Sequence, residues 1–198
     1  MKRVIISQRI DKWPQRAEIR DALDQRLINF VSQSGGLPVP VPNVLFKTLQ
    51  LKQWLTELRP DAVILSGGED IGTNNDRDGT ETIILEYAKN NNLPLLGICR
   101  GMQFMANHAG VSLKEVVGHI KTNHHLIGEI RGTANSFHQF SLEKCPLDYK
   151  CLSRSEDKEI EAISHRQLPW EGWMWHPERL ETFEQRDLNR FSNLLKGK

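Results

Sequence analysis

Cysteine is scarce in this sequence, with three among 198 residues. Cys99, Cys145 and Cys151 are odd in number and form no C-x-x-C pair. A small secreted framework needs an even set of closely spaced cysteines, so the pattern excludes that class. We therefore expect a reduced, cytoplasmic protein.

The chain also lacks a long apolar run and an excess of charge of either sign. Its 26 basic and 25 acidic residues give a net charge of +1, so charge supplies no reason to bind nucleic acid or an acidic membrane. No apolar run approaches the roughly 20 residues of a membrane span. The basic start of the sequence precedes a run too short for a signal peptide and is typical of a first β-strand. Neither a nucleic-acid nor a membrane partner is expected.

Repeats and low-complexity tracts are absent as well, and the length favours one domain over residues 1–198. Helical spacing begins at Glu18 and recurs around residues 49–58. The proline-rich segment 37–42 must be extended and favours an edge strand or a surface strap. Wholly apolar runs such as 62–65 are typical of buried parallel strands. This order predicts an α/β fold with a doubly wound, mostly parallel sheet flanked by helices, and a small antiparallel β section in the second half.

Cys99 stands between Gly97 and Gly101, where a short apolar strand meets the start of a helix. The helix is indicated by apolar residues at offsets of three, four and seven from Met102. Free N–H groups and the helix dipole favour thiolate over thiol at this position. Glycines two residues to either side allow the tight turn that exposes a nucleophile. The alternative is a small buried cysteine packed under a helix.

A nucleophilic cysteine needs a base and a group that orients the base, and His176 and Glu178 are the best candidates. Pro177 forces His176 into an extended conformation, in which residues two apart point to the same side. The alternative is a surface turn after an edge strand. A metal-binding interpretation is weaker because the other histidines show no regular ligand spacing. We expect no metal and no cofactor.

Gly67 and Gly68 follow the buried strand at 62–65 and leave backbone N–H groups open to an anion or a carbonyl oxygen. Ligand sites of doubly wound sheets lie outside the carboxyl ends of the strands. Cys99 falls at the same edge, on a strand joined to this one by a single crossover. The two strands are therefore candidates for direct neighbours.

Three motifs in this order resemble the class I glutamine amidotransferase-like superfamily, which has a flavodoxin-like fold: residues 67–68, 97–103 and 175–178. Residues 67–70, 77–81 and 135–138 are similar to the gamma-glutamyl hydrolase branch. The resemblance is greatest to gamma-glutamyl-CDP-amidate hydrolases in three segments: the short loop after Asp70, residues 118–119 and the motif at 174–179. Those enzymes serve the phosphoramidate modification of bacterial capsules.

The resemblance implies that Cys99 attacks a gamma-glutamyl amide and forms a thioester. His176 would transfer the proton, and Glu178 would orient the His176 ring. Backbone N–H groups of Gly68 and Arg100 would hold the oxyanion. The remaining substrate contacts implied are Gly67, Gln103, Ser136, Phe137, His138 and Arg179. Without the resemblance, Gln103 is equally a helix-capping residue and Ser136 an ordinary turn former.

Three functions compete on these residues. The first is a stand-alone hydrolase of a small-molecule gamma-glutamyl amide, either the nucleotide-bearing CDP-amidate, releasing cytidine diphosphoramidate, or a gamma-glutamyl polyamine derivative. The second is a glutaminase subunit that supplies ammonia to a separate synthetase. The third, a non-catalytic binding protein, leaves the intact Cys99, His176 and Glu178 unexplained. The oligomeric state stays open, with a homodimer among the expectations.

Overall fold

The computed structural model describes residues 1–197, and within them the chain alternates strands and helices in its first half and is mainly β in its second. The helices are α1 (Gln25–Gln33), α2 (Val44–Lys47), α3 (Leu51–Leu58), α4 (Asn75–Asn90), α5 (Arg100–His108) and α6 (Gln185–Leu195). The strands are β1 (Lys2–Ile6), β2 (Arg9–Trp13), β3 (Glu18–Ala22), β4 (Gly36–Pro40), β5 (Ala62–Leu65), β6 (Leu95–Ile98), β7 (Leu113–Glu115), β8 (Ile120–Gly128), β9 (Gly132–Phe137), β10 (Phe140–Leu142), β11 (Tyr149–Arg154), β12 (Ile160–His165) and β13 (Trp170–Trp173).

A 9-stranded sheet forms the centre of the molecule, in the order β4-β1-β5-β6-β13-β12-β11-β8-β9. Strands β4 to β13 of that order run parallel. From β13 to β9 each neighbouring pair is antiparallel. The predicted fold class is confirmed, and the antiparallel section proves to be a continuation of the main sheet.

Helices cover both faces of the parallel half, because its strands are apolar on both sides. Along β1, Ile5 faces one core and its neighbours Val4 and Ile6 face the other. Helices α3, α4 and α5 pack on the Ile5 face, and α1 and α6 on the opposite face. Strand β4, which carries the prolines of segment 37–42, lies at the sheet edge as predicted.

The helix predicted to begin at Glu18 is wrong in its first part. Residues Glu18–Ala22 form β3, which pairs with β2 in a hairpin. Ile19, the first apolar residue of the helical spacing, is 68% exposed. The helix begins only at Gln25, because the Asp24 side chain accepts a hydrogen bond from the Arg26 N–H and caps that turn.

The carboxyl ends of β5, β6 and β13 meet at one edge of the sheet. Leu65 pairs with Gly97 and Ile98 with Trp173, so the three loops that follow these strands start side by side. Gly67, Cys99 and His176 lie in those loops, and β5 and β6 are direct neighbours as anticipated. Within residues 1–197, no helix combines the length and apolarity that crossing a bilayer requires.

Candidate active site

Cys99 sits at a strained turn between β6 and α5. Its φ is +50° and its ψ is −105°, a left-handed conformation that L-residues seldom adopt. The Cys99 N–H donates to the Trp173 carbonyl at 2.7 Å, which anchors the turn to β13. Strain held by surrounding structure is typical of functional positions.

The glycines on either side of Cys99 are required by close packing. A Cβ on Gly97 would lie 2.5 Å from the Met105 sulfur, and one on Gly101 would collide with the Leu65 carbonyl oxygen. Helix α5 therefore starts in direct contact with the end of β5. This contact brings the Cys99 turn against the Gly67 loop.

His176 and Glu178 form the expected pair. The His176 Nδ1 lies 2.7 Å from Glu178 Oε1, and both side chains are buried. Glu178 holds Nδ1, which leaves Nε2 for Cys99, the other neighbour that acts on the pKa of the ring. Burial alone would lower the pKa of His176, but the Glu178 carboxylate and the Cys99 sulfur raise it to about 9.

Asn135 fixes the backbone of His176, a role that sequence reasoning missed. Its side-chain amide donates to the His176 carbonyl at 2.8 Å and accepts from the His176 N–H at 2.9 Å. The reciprocal bonds tie strand β9 to the loop after β13. The available signal was the position of Asn135 directly before Ser136 and Phe137 in a motif that was already recognised.

The Gly67–Gly68 loop lies against both the histidine and a buried arginine. A Cβ on Gly67 would come within 2.5 Å of the His176 ring. Gly68 has a φ of +141°, and a Cβ there would collide with the Arg77 guanidinium. Arg77 Nη2 donates to the Ser66 carbonyl at 2.8 Å and to the Gly67 carbonyl at 2.9 Å.

Arg77 belongs to a buried network of charges beneath the loop. It pairs with Glu69 at 2.7 Å and with Glu81 at 3.1 Å. The Arg100 side chain is buried too, and pairs with Glu81 and Asp78. The side chain of Arg100 is thus committed to the network, which leaves its backbone N–H, the first of α5 and without an intrahelical acceptor, for the site.

A cavity of about 390 Å³ opens at Cys99. Its walls hold Gly68, Arg100, Gln103, Phe137 and His138 among the residues that the sequence predicts for the site. A larger concavity of about 660 Å³ contains Pro60, Pro94 and Pro169, at the amino ends of the parallel strands. Ligand sites of such sheets lie at the carboxyl ends, so the smaller cavity is the candidate.

Three predicted substrate residues, Gly67, Ser136 and Arg179, stand outside that cavity wall. The Ser136 hydroxyl is buried and donates to the His119 carbonyl at 2.7 Å, so its side chain is already occupied within the protein. Arg179 lies beside the site, with its guanidinium 4.6 Å from the centre of the Phe137 ring. Phe137 in turn meets the His176 ring edge-to-face at 5.8 Å.

The other two cysteines have no comparable setting. Both are partly buried and unpaired, and burial raises the pKa of the Cys145 and Cys151 thiols. A higher pKa disfavours the thiolate that a nucleophile needs.

An α/β sheet that presents a cysteine turn beside a histidine–glutamate pair is the arrangement of a cysteine-dependent amide hydrolase. The chain matches the family model described as glutamine amidotransferase class-I over residues 18–192. It belongs to that family. The predicted superfamily and the expectation of an amide hydrolase with a cysteine nucleophile are confirmed at the level of the family.

Two curated relatives illustrate the range within the family. A gamma-glutamyl-CDP-amidate hydrolase of Campylobacter jejuni is 36% identical over 124 residues, which are 60% of this chain and 62% of the relative. The match thus spans less than two thirds of that protein. A glutamine-hydrolyzing GMP synthase subunit of Thermococcus kodakarensis is 32% identical over 143 residues, 67% of this chain and 74% of the relative.

Solved structures agree with the fold. A candidate GMP synthase subunit from Thermoplasma acidophilum has a TM-score of 0.74 at 20% identity, and the alignment covers 100% of this chain and 96% of that one. A glutamine amidotransferase from Thermotoga maritima has a TM-score of 0.64 at 14% identity, with coverage of 100% and 84%. At these identities the likeness establishes the fold alone.

Proposed function

We propose that this protein hydrolyses a gamma-glutamyl amide through a thioester on Cys99. The observation that carries the proposal is the meeting of Cys99, the His176–Glu178 pair and the Gly67–Gly68 loop at one edge of the sheet. A binding protein has no need of a buried histidine whose pKa is raised to about 9 beside a cysteine.

Proton transfer follows from the hydrogen bonds of His176. With Nδ1 held by Glu178, Nε2 takes the Cys99 proton, and the imidazolium then protonates the leaving nitrogen. Water hydrolyses the thioester and releases glutamate. Glu178 stabilises the charged ring in each step.

The oxyanion would be held by the backbone N–H groups of Gly68 and Arg100. A trans peptide directs the N–H of Gly68 opposite to the Gly67 carbonyl, which Arg77 holds on its own side. Gly68 shares the cavity wall with Cys99 and Arg100. Arg77 is therefore proposed as a positioning residue for the oxyanion donor.

We expect Arg77→Lys to lower kcat by about tenfold to a hundredfold with little change in KM, because a mispositioned donor weakens transition-state binding more than substrate binding. Lysine keeps the charge but lacks the guanidinium fork that spans both carbonyls and both carboxylates. Steady-state kinetics and thermal unfolding of this variant would be compared with those of the exposed control Arg20→Lys. An unchanged kcat in a less stable protein would reduce Arg77 to a structural residue.

Within this class we propose gamma-glutamyl-CDP-amidate as the substrate, giving glutamate and cytidine diphosphoramidate for capsule modification. Arg179 supports this choice. Among residues 1–197 no carboxylate lies within ion-pair distance of its guanidinium, since the nearby Asp24 is paired with Arg26. The guanidinium stacks on Phe137, which lines the cavity. A guanidinium without a carboxylate matches the bidentate geometry of a phosphate. The Campylobacter jejuni relative, described as acting on this compound, supports the same substrate.

The decisive experiment compares three substrates on the purified protein, with glutamate release as the readout: gamma-glutamyl-CDP-amidate, a gamma-glutamyl polyamine and L-glutamine. We expect the CDP-amidate to be turned over best. Efficient hydrolysis of the polyamine derivative with none of the CDP-amidate would sink the narrower proposal and leave gamma-glutamyl hydrolysis standing.

A glutaminase subunit that feeds a separate synthetase is the second candidate, because the relatives include glutamine-hydrolyzing GMP synthase subunits. The same catalytic residues would serve it. It predicts weak activity on glutamine that rises when the synthetase partner is added. Full activity of the isolated chain on the CDP-amidate would decide against it.

Arg179→Met should raise KM for gamma-glutamyl-CDP-amidate by about tenfold, the effect of losing one charge-assisted contact with phosphate. Gamma-glutamyl-p-nitroanilide carries no phosphate and serves as the internal control, with KM expected to stay within about twofold. An equal rise in KM for both substrates would show that Arg179 supports the site through Phe137 and does not bind phosphate.

A further inference from the structure

A second cluster of histidine and glutamate side chains adjoins the cavity, and one member, His138, lies in the cavity wall. His119, His124, His138 and Glu161 each offer one ligand atom, and these atoms lie within 4.8 Å of one another. His119, His138 and Glu161 are at most 2% exposed. The proposed hydrolysis uses none of these atoms.

The hydrogen bonds of the two buried histidines leave lone pairs facing each other. His119 Nε2 lies 2.8 Å from Asp157 Oδ2, and His138 Nδ1 lies 3.0 Å from the Phe140 carbonyl. An exposed carboxylate and a carbonyl only accept, so these two nitrogens carry the protons. In the neutral rings, His119 Nδ1 and His138 Nε2 then present lone pairs to each other across 3.1 Å.

Among the described residues, two further polar atoms of the same cluster lack a hydrogen-bond partner. Glu161 Oε1 lies 3.7 Å from His119 Nδ1 and 3.5 Å from His138 Nε2. Within residues 1–197, neither Glu161 Oε1 nor His124 Nε2 has a hydrogen-bond partner, although both atoms are buried. An orphaned buried carboxylate oxygen is costly and calls for an explanation.

We propose that these four side chains bind one divalent transition-metal ion of the zinc class. The ligands are His119 Nδ1, His124 Nε2, His138 Nε2 and Glu161 Oε1. Ligands about 2.0–2.1 Å from a tetrahedral zinc stand about 3.3 Å apart, close to the 3.1, 3.5 and 3.7 Å separations found here. Asp157 and the Phe140 carbonyl take the outer hydrogen bonds that commonly orient histidine ligands.

Protonation of His119 explains only half of this arrangement. A doubly protonated ring would donate to both Asp157 and His138, but Glu161 Oε1 and His124 Nε2 would still lack partners. One cation satisfies all four atoms. The sequence expectation of no metal considered ligand spacing along the chain, whereas the members of this set come from separate strands and loops.

With four protein ligands the ion has no open position for water or substrate, which is typical of a structural site. Strand β8 pairs with β11 only at Ile127 and Gly128, near the turn of the β8–β9 hairpin. The open end of this hairpin therefore has no backbone hydrogen bonds to β11. The ion would join this end to β12 through Glu161. It would also steady the cavity wall, because the Phe140 carbonyl that accepts from His138 accepts from Gln103 at 2.8 Å.

The test is the metal content and zinc affinity of untagged protein. We expect about one zinc ion per chain by plasma mass spectrometry, and competition with a chromophoric chelator should give the affinity. Cobalt in its place should show the visible bands of a tetrahedral site. His124→Ala and Glu161→Gln should weaken zinc binding at least about a hundredfold, and Asp157→Asn about tenfold. His125→Ala is the matched control, since His125 is the exposed neighbour of His124 on the same strand.

Thermal unfolding supplies the second readout. Chelator should lower the Tm of the wild-type protein and of His125→Ala, and leave that of Glu161→Gln unchanged. Wild-type protein that takes up no zinc at saturating concentration would overturn the proposal, whether or not the variants fold. Equal losses of zinc binding in His124→Ala and His125→Ala would also overturn it, because they would locate the metal on the surface.

Discussion

A Cys99→Ala variant is expected to lose turnover of gamma-glutamyl substrates by at least about 10⁴-fold, because no other group can form the thioester. The fold should persist. Alanine occupies the same left-handed position, at a φ of +50°, and removes only a sulfur. Initial rates of glutamate release and thermal unfolding would be measured on the same preparation.

The matched control for this variant is Cys145→Ala. Cys145 is also unpaired and partly buried, but it is not among the residues that line the cavity at Cys99, so its loss should leave activity within about twofold. Acid quenching of wild-type protein during turnover should trap a glutamyl adduct, which mass spectrometry would locate on Cys99. Retention of activity by Cys99→Ala, or an adduct on Cys145, would contradict the assignment.

The Cys99 turn and the histidine–glutamate pair could be predicted from the sequence because each leaves a signal in adjacent residues. The glycines two residues to either side of Cys99 indicate close packing around the turn. The structure shows this packing at Gly101, where α5 contacts β5. Pro177 reports the extended backbone that places Glu178 on the His176 ring. Pro177 acts through short-range sterics alone, whereas the glycine at 101 records a contact with Leu65 on another strand.

Long-range pairing explains what was missed. Residues 18–22 have helical spacing of apolar side chains, but they pair with β2 as a strand and expose Ile19. Tertiary context overrides such weak local preferences. The histidine cluster is a stronger case, because its members come together only through the β8–β9 register and the packing of β12. The spacing of these residues along the chain does not indicate that they lie together in the fold.

The network under the Gly67 loop was only partly visible. Arg77 and Glu81 stand at positions i and i+4 of α4, which indicates a salt bridge but not its depth. Its burial, and the use of Arg77 to hold two loop carbonyls, depend on where α4 docks against β5. The sequence thus predicted the Cys99 turn and the His176–Glu178 pair more fully than the buried arginine beneath the Gly67 loop.

After Cys99, we expect substitution of His176 to lower activity most. The activity of the wild-type enzyme should also depend on pH, because Glu178 sets the pKa of His176. Glu178 and Cys99 raise the pKa of His176 from 6.5 to about 9 against the effect of burial. The imidazolium that protonates the leaving nitrogen is therefore present below about pH 9 and lost above it. We expect kcat/KM of the wild-type enzyme to fall along an alkaline limb near that pH.

His176→Ala should lower kcat/KM by about 10⁴-fold, nearly as much as the loss of Cys99, because proton removal and return both fail. Glu178→Gln should be milder, at about a hundredfold, and should carry a displaced pH profile. Since the carboxylate raises the pKa of His176, its loss moves the alkaline limb to lower pH. The exposed Glu181→Gln, three residues further along, should leave both rate and profile unchanged. An alkaline limb that stays in place in Glu178→Gln would mean that another group titrates there, and it would remove Glu178 from its role in holding the proton on His176.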